Sequence, residues 1–534
     1  MDHPIVVVGS GASGIHFALT ALRKGRRVLM LDVGHKGSEA VRPSDTLNGL
    51  KQNLSDPAAY FLGTRYQSLV LPGNAGEYYA FPPAKEHVFQ HRNEFQLRSN
   101  GFSPLYSFAA GGLAEVWTGG SYPFDDGDLA AFPFGYKELG PYYTRVAEQI
   151  GVTGIEDDMA AVFPLHGGLL EPLDLDEHSA TLLAAYGRRR ADLQERFKCR
   201  MGRARVAVLS RDLNGRKKCS YSGRCLWGCP NLSLYTPSVT LAECREFPNF
   251  QYCAGLYVDH FRMDGMGKVT TVVAHTADGQ EREFVTTSLV LAAGTLCSAR
   301  IYLESIYRDA GKVEELRGVM DNRQILMPFV NLKMLGKPWN PETYQYHQVA
   351  MSVRTPDTGD AIHALITTLK TALIHPLVQT LPFDLGTAAS AFRNIHGALG
   401  MININFADHP REDNYITLDV DCTPHKLAIH YRPEDNEPQR LKRTIADFRN
   451  ILRKLGCFAP SRTVHIRPMG ASVHYAGTFP MTDTAGPHTC TKYGASRELQ
   501  NLYFADGSTF PDLPAKNLTF TLMSNATRIA EEAF

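Results

Sequence analysis

This chain carries no net charge and no long apolar run, its first residues show no export-leader pattern, and each absence argues against a class of function. Lysine plus arginine equals aspartate plus glutamate, 55 each in 534 residues, so no excess charge draws it toward nucleic acid or anionic lipid. No stretch reaches the ~20 apolar residues that span a bilayer. The most apolar candidate, Ala361 to Leu385, is interrupted by Lys370, His375 and Pro376. Its texture predicts a buried or groove-lining helix pair, with a membrane-surface anchor as the competing reading. The N-terminus reads MDHPIVVVGSG, without a basic region, an apolar stretch and a small-residue cleavage site in that order. That predicts a cytoplasmic chain whose ten cysteines are reduced thiols or metal ligands rather than disulfides. With 44% hydrophobic and 21% charged residues, the composition is that of a globular protein with a sizeable core.

What is present begins at once. Ile5 to Val8 reads as a β-branched strand, and Gly9-Ser-Gly11-Ala-Ser-Gly14 follows without a gap. Ile15 to Lys24 has helical character, Gly25 breaks it, and Arg27 to Leu31 reads as a second strand ending at Asp32. In such a strand–turn–helix–strand unit the first glycine allows the tight turn and the second admits a pyrophosphate. The third lets helix and strand pack closely. The phosphates then lie at a helix N-terminus, beside Ala12 and Ser13 here, where N–H groups and the dipole favour anions. Asp32, about 20 residues on, is placed for the ribose hydroxyls, which argues against a 2′-phosphate and leaves FAD or NAD.

Three further stretches stand out. Phe108 to Gly120 sets Gly111, Gly112, Gly119 and Gly120 around Trp117, which suits close backbone approach to a flat ligand or, alternatively, a turn around a core tryptophan. Cys219, Cys225 and Cys229 are candidate thiolate ligands of a metal or iron–sulfur cluster, with buried structural thiols as the competing reading. The paired CxxC spacing and distant histidine of a zinc site are missing. Phe284 to Arg300 reads as a buried strand, a small-residue turn at Ala293-Gly294 and a helix start. Beyond it, MININF, NYITLDV and KLAIHYR look like strands, Glu437 to Leu455 like an amphipathic helix. Together they predict an antiparallel sheet with helices on one face, inserted into the nucleotide fold.

The C-terminal run from His474 to Ala526 is the most specific. His474, Gly477, Thr478 and Met481 form a His-x-x-Gly-Thr-x-x-Met pattern. Asp506, Gly507, Ser508, Asn517, Thr521, Met523, Asn525, Ala526, Arg528 and Ile529 follow in a second pattern. With the blocks above, the chain resembles the glucose–methanol–choline (GMC) oxidoreductases over most of its length, nearest in texture to bacterial sugar dehydrogenases and pyranose oxidase-like members. Two positions depart from the family: Thr482 stands where glycine often follows the methionine, and Leu518 replaces the proline of the usual helix start.

The resemblance implies an α/β fold: a discontinuous Rossmann-like FAD-binding domain (1–155, 200–315 and 460–534) and an inserted substrate domain on an antiparallel sheet plus helices (156–199 and 316–459). It implies oxidation of a CH–OH group of a sugar, polyol or other hydroxylated small molecule by hydride transfer to flavin N5. His474 matches the active-site base and Asn517 the second active-site position; Gly9, Gly11, Gly14, Asp32, Gly111, Gly112, Trp117, Ala293, Gly294, Asp506, Gly507, Asn517 and Leu518 fall at the cofactor. Val116 stands where sugar oxidases of the pyranose oxidase kind carry a flavin-linked histidine, so FAD is expected to be non-covalent. The cysteine spacing is similar to that of bacterial sugar dehydrogenases with an iron–sulfur cluster. Oxygen, a quinone or a redox protein remain open as electron acceptor, as do peripheral membrane contact and oligomerisation. Plain helix-capping by Asn517 is a competing role. So, for the whole chain, are a catalytically silent flavin subunit of a larger complex and a non-redox lyase on the same fold.

Overall fold

The structure, a computed structural model, describes residues 3–37, 45–68, 82–354, 359, 361–368 and 382–534. Its centre is a five-stranded parallel sheet in the order Leu502–Phe504, Ser288–Leu291, Ile5–Val8, Val28–Leu31, Phe250–Cys253. Ile5–Val8 and Val28–Leu31 are buried throughout, which is why they read as unbroken apolar runs rather than alternating ones. The edge strand Leu502–Phe504 comes from the far end of the chain. Helix Ala12–Arg23 packs against the last helix, Thr519–Ala533, and Phe17 meets Phe534 edge-on with ring centres 5.2 Å apart. The two ends of the chain thus share one core.

A second, antiparallel sheet covers the cavity side of the first. Its path runs Cys457–Phe458, Gln324–Asn331, Leu399–Asn405, Ala361–Thr368, Val349–Arg354, Arg200–Arg203, and His465–Ile466 pairs with Gln324–Asn331. Side chains alternate across a strand. Ile362, Ala364, Ile366, Ile402 and Ile404 pack under helices Glu177–Phe197 and Glu437–Lys454, against Leu182, Leu193, Phe448 and Ile451. Leu365 and Asn403, one residue out of phase, face the other way and line the cavity.

Two expectations are corrected. Ala361 to Leu385 is not a helix pair: Ala361–Thr368 is a strand in the middle of the second sheet, 369–381 lie outside the described residues, and a helix starts at Leu385. A fully buried strand and a buried helix are both plain apolar runs, so periodicity alone does not separate them. Nor do the three strand-like pieces share a sheet. MININF lies in the second sheet, whereas Tyr415–Asp419 and Lys426–His430 form a four-stranded sheet with Glu315–Arg317 and Gln96–Asn100. Ile416, Leu418, Leu427 and Ile429 bury themselves in the core of the parallel sheet instead. Among the described residues no helix is long and apolar enough to cross a membrane.

Candidate active site

A cavity of about 390 Å³ runs from the glycine turn to His474, between the two sheets. At its first end each motif glycine meets a different physical demand. Gly9 has φ +96° and a Cβ there would sit 2.8 Å from the Ala292 carbonyl oxygen. A Cβ on Gly14 would lie 2.0 Å from Gly9 O, so the helix could not approach the strand. At Gly11 a Cβ would meet nothing within 4 Å, because its backbone faces the cavity. No side chain caps the helix that begins at Ala12, which leaves its first N–H groups for an anion.

Asp32 closes this end. It accepts hydrogen bonds from Ser10 Oγ and, at 3.1 Å, from the Tyr252 hydroxyl. Burial raises its pKa to about 6, and those hydrogen bonds offset part of the rise. Ser10 Oγ also accepts from Gly111 N–H at 2.9 Å, tying the 108–120 segment to the motif, while Trp117 Nε1 donates to Tyr235 O at 2.6 Å. The folded-state pKa of Asp32 lies above its ordinary 3.8, so its contribution to stability is complete below that value and is lost as pH rises through about 6. The loss amounts to about 3 kcal/mol. Asp32→Asn is expected to remove this pH dependence from the thermal midpoint of flavin-free protein while weakening FAD binding; an unchanged FAD dissociation constant counts against a cofactor role for Asp32.

At the other end the chain turns sharply around His474. Val473 sits in the left-handed region at φ +60°, a strained place for a β-branched residue, and Gly470 and Gly477 are also at positive φ. The turn is held from behind. Asp321 accepts from Gly470 N–H at 2.6 Å and from Ser472 Oγ, which itself accepts from His474 N–H at 3.0 Å. His474 Nδ1 lies 2.9 Å from Asn322 Oδ1, and its Nε2 faces Asn517 Nδ2 at 3.5 Å. Burial, followed by the charge of Arg467, lowers the His474 pKa to about 4, so the ring is neutral at ordinary pH. The last helix is capped at Leu518 without a side-chain bond, and Asn517 Oδ1 is buried with no protein partner. Asn517 therefore points at the cavity rather than capping the helix. Asp506 serves the fold beside the site. Its carboxylate accepts from Gly294 N–H, Ser298 Oγ, Ser508 N–H and Ser508 Oγ at 2.5–3.0 Å, locking the Asp-Gly turn to the helix at Thr295.

Of the nucleotide-site residues expected from the sequence, all line the cavity except Gly14 and Gly111, which stand one layer behind. The arrangement fits FAD: an open glycine turn and uncapped helix for pyrophosphate, a buried acid for ribose, and room beyond for the ring system. The metal expectation is corrected. Among the described residues no group of three or more His, Cys, Asp or Glu is gathered to hold a metal ion. Cys219, Cys225 and Cys229 pack against the apolar cluster of Tyr122, Met159 and Phe163, and burial pushes the Cys219 thiol up to about 11 and Cys225 higher still. Partly buried against these apolar side chains, the three cysteines are placed as packing residues. None of the ten cysteines is in a disulfide. Sequence reasoning missed Asn322, Gln324, His347, Leu365 and Asn403, which reach the site from the second sheet and its flanks; MDNRQI and MININF carry no motif, and strand register was the only signal available.

Comparison with known proteins agrees with this geometry. A GMC oxidoreductase model matches residues 410–526. The chain is 24% identical to paromamine 6'-oxidase of Streptomyces fradiae, across 99% of this chain and 90% of that protein. It is also 24% identical to 6'''-hydroxyparomomycin C oxidase of Streptomyces lividus, across 98% and 90%. Among solved structures, pyridoxine 4-oxidase from Mesorbium loti superposes with a TM-score of 0.62 at 15% identity, covering 99% of both chains. A formate oxidase variant from Aspergillus oryzae RIB40 also gives 0.62, at 11% identity over 99% and 98%. Residues 410–526 thus match the GMC oxidoreductase model, and the whole chain is similar in sequence to the two Streptomyces oxidases and in fold to the two solved oxidases.

Proposed function

We propose that this protein is an FAD-dependent oxidoreductase that converts a CH–OH group of a hydroxylated small molecule to a carbonyl. One observation carries the reading: His474 and Asn517, from two separate turns, converge at the end of the cavity whose opposite end holds Asp32. FAD, held by the glycine turn and Asp32, would supply a two-electron hydride acceptor at this site. The chain's own residues handle the proton and the geometry. His474, neutral because it is buried, accepts the hydroxyl proton. Asn517 Nδ2 donates to the same oxygen and orients it. The N-terminus of the last helix, at Thr519, lends positive potential to that end of the cavity.

The lining supports a neutral polyol or sugar. Among the described lining residues the only carboxylates are Asp32 and Asp506, and Asp506 is engaged by four protein donors. The second sheet and its flanks present amide and imidazole groups, Gln324, Asn403 and His347, with the Arg467 guanidinium bonded to Gln324 Oε1, and Asn403 Oδ1 is buried without a protein partner. A polycationic aminosugar, the kind of substrate the Streptomyces relatives are named for, finds no free counter-charge there. Val116 lines the cavity beside Trp117 and has no nucleophile, which supports non-covalent FAD. The expected result is a yellow protein that releases all its flavin on denaturation and bleaches anaerobically with neutral polyols or sugars. Bleaching by amino sugars alone removes the substrate assignment, and no bleaching across a broad alcohol panel removes the reaction.

A further inference from the structure

The buried dyad behind His474 does more than hold the loop. We propose that Asn322 is a positioning residue that fixes the tautomer of His474, keeping the proton on Nδ1 and the lone pair on Nε2, where the substrate hydroxyl arrives. This rests on the reading of His474 as the base.

The argument is one of donors and acceptors. Asn322 is 1% exposed. Its Nδ2 donates to Phe406 O at 2.8 Å and to Pro514 O at 3.1 Å. Carbonyl oxygens have no hydrogen to give, so the amide face turned toward them must be the NH₂ group; the flipped amide would set an oxygen against two oxygens. Oδ1 is therefore the atom that faces His474 Nδ1 at 2.9 Å, and it can only accept. Nδ1 must then carry the hydrogen. A neutral imidazole carries one such hydrogen, so Nε2 is left with a lone pair. The neighbour on that side agrees: Asn517 approaches Nε2 at 3.5 Å through its Nδ2, a donor.

The opposite tautomer would present an N–H to the substrate and have no lone pair for its proton. Asn322 thus decides whether a neutral His474 is a base or a donor. Its neighbour Asp321 sets the position of the same loop through Gly470 and Ser472, so two adjacent residues fix where the ring is and which nitrogen is basic. The other ionisable groups acting on His474 are Arg467 and His363, on separate strands of the second sheet or beside them.

Nitrogen NMR of histidine-labelled, flavin-loaded protein reads the tautomer without turnover. The expected His474 signal in wild type has Nδ1 protonated and Nε2 bare; a wild-type signal with the proton on Nε2 overturns the proposal. Asn322→Leu removes the acceptor and is expected to slow anaerobic flavin reduction by ~10–10³-fold, less than the ~10⁴-fold loss known for a catalytic histidine held in the wrong tautomer. In a His474→Ala background the same substitution is expected to add no further loss, because Asn322 acts through His474. An equal loss in both backgrounds overturns it. If His474→Ala reduces its flavin at the wild-type rate, the reading of His474 as base falls, while the NMR signal still decides the role of Asn322.

Discussion

His474→Ala is expected to lower the rate of anaerobic flavin reduction by ~10²–10⁴-fold, the contribution of a positioned general base, while the protein stays yellow. The cofactor is retained because its anchors, the glycine turn and Asp32, lie at the opposite end of the cavity. The pH profile supplies a second, independent reading. Burial and Arg467 both disfavour the imidazolium and hold the His474 pKa at about 4, so the basic form persists through neutral pH. Wild-type reduction should be flat from about pH 6 upward and fall as pH drops toward 4, where Nε2 takes up a solvent proton and loses its lone pair. In the alanine variant that limb should vanish. Stopped-flow absorbance of the flavin across pH measures both, and a variant that bleaches as fast as wild type removes His474 from the chemistry.

The second large effect separates two glycines of the same turn. A Cβ at Gly14 would lie 2.0 Å from the Gly9 carbonyl oxygen and 3.3 Å from Ala292 Cβ, so the helix would have to move away from the strand to admit it. Gly14→Ala is expected to cost at least ~3 kcal/mol in the parallel-sheet core, lowering the thermal midpoint and losing FAD together. Gly11 faces open space, with nothing within 4 Å of an added methyl group. Gly11→Ala should therefore leave the midpoint of flavin-free protein unchanged and cost only what the methyl takes from the pyrophosphate, ~1–3 kcal/mol, or about five- to 150-fold in FAD affinity. Calorimetry on flavin-free protein and flavin titration distinguish them. Equal destabilisation by both substitutions would mean that Gly11 does not face the cofactor.

Much of the nucleotide half was legible in the linear order of residues. A strand, a glycine turn and a helix adjacent in sequence are adjacent in space, so the unit that carries Gly9, Gly11, Gly14 and Asp32 could be read from local rules alone. The substrate half was not legible. Ala361–Thr368 is buried on both faces and loses the alternation that marks a strand, and its apolar run resembles a helix as closely. The three cysteines illustrate the converse: spacing suggested ligands, but the fold packs them against an apolar cluster.

The amino-acid sequence by itself pointed to the glycine turn, the family-like patterns and the two side chains, His474 and Asn517, that meet at the cavity end, because each depends on contacts within a few residues or on a dense local pattern. Only the tertiary structure decided which groups surround His474. Asn322 stands 152 positions from His474, and its own amide is oriented by carbonyls 84 and 192 positions away. A hydrogen-bond chain drawn from four separate stretches leaves no period or motif in the sequence, since its specificity resides in the distances and in which atom has a proton to give.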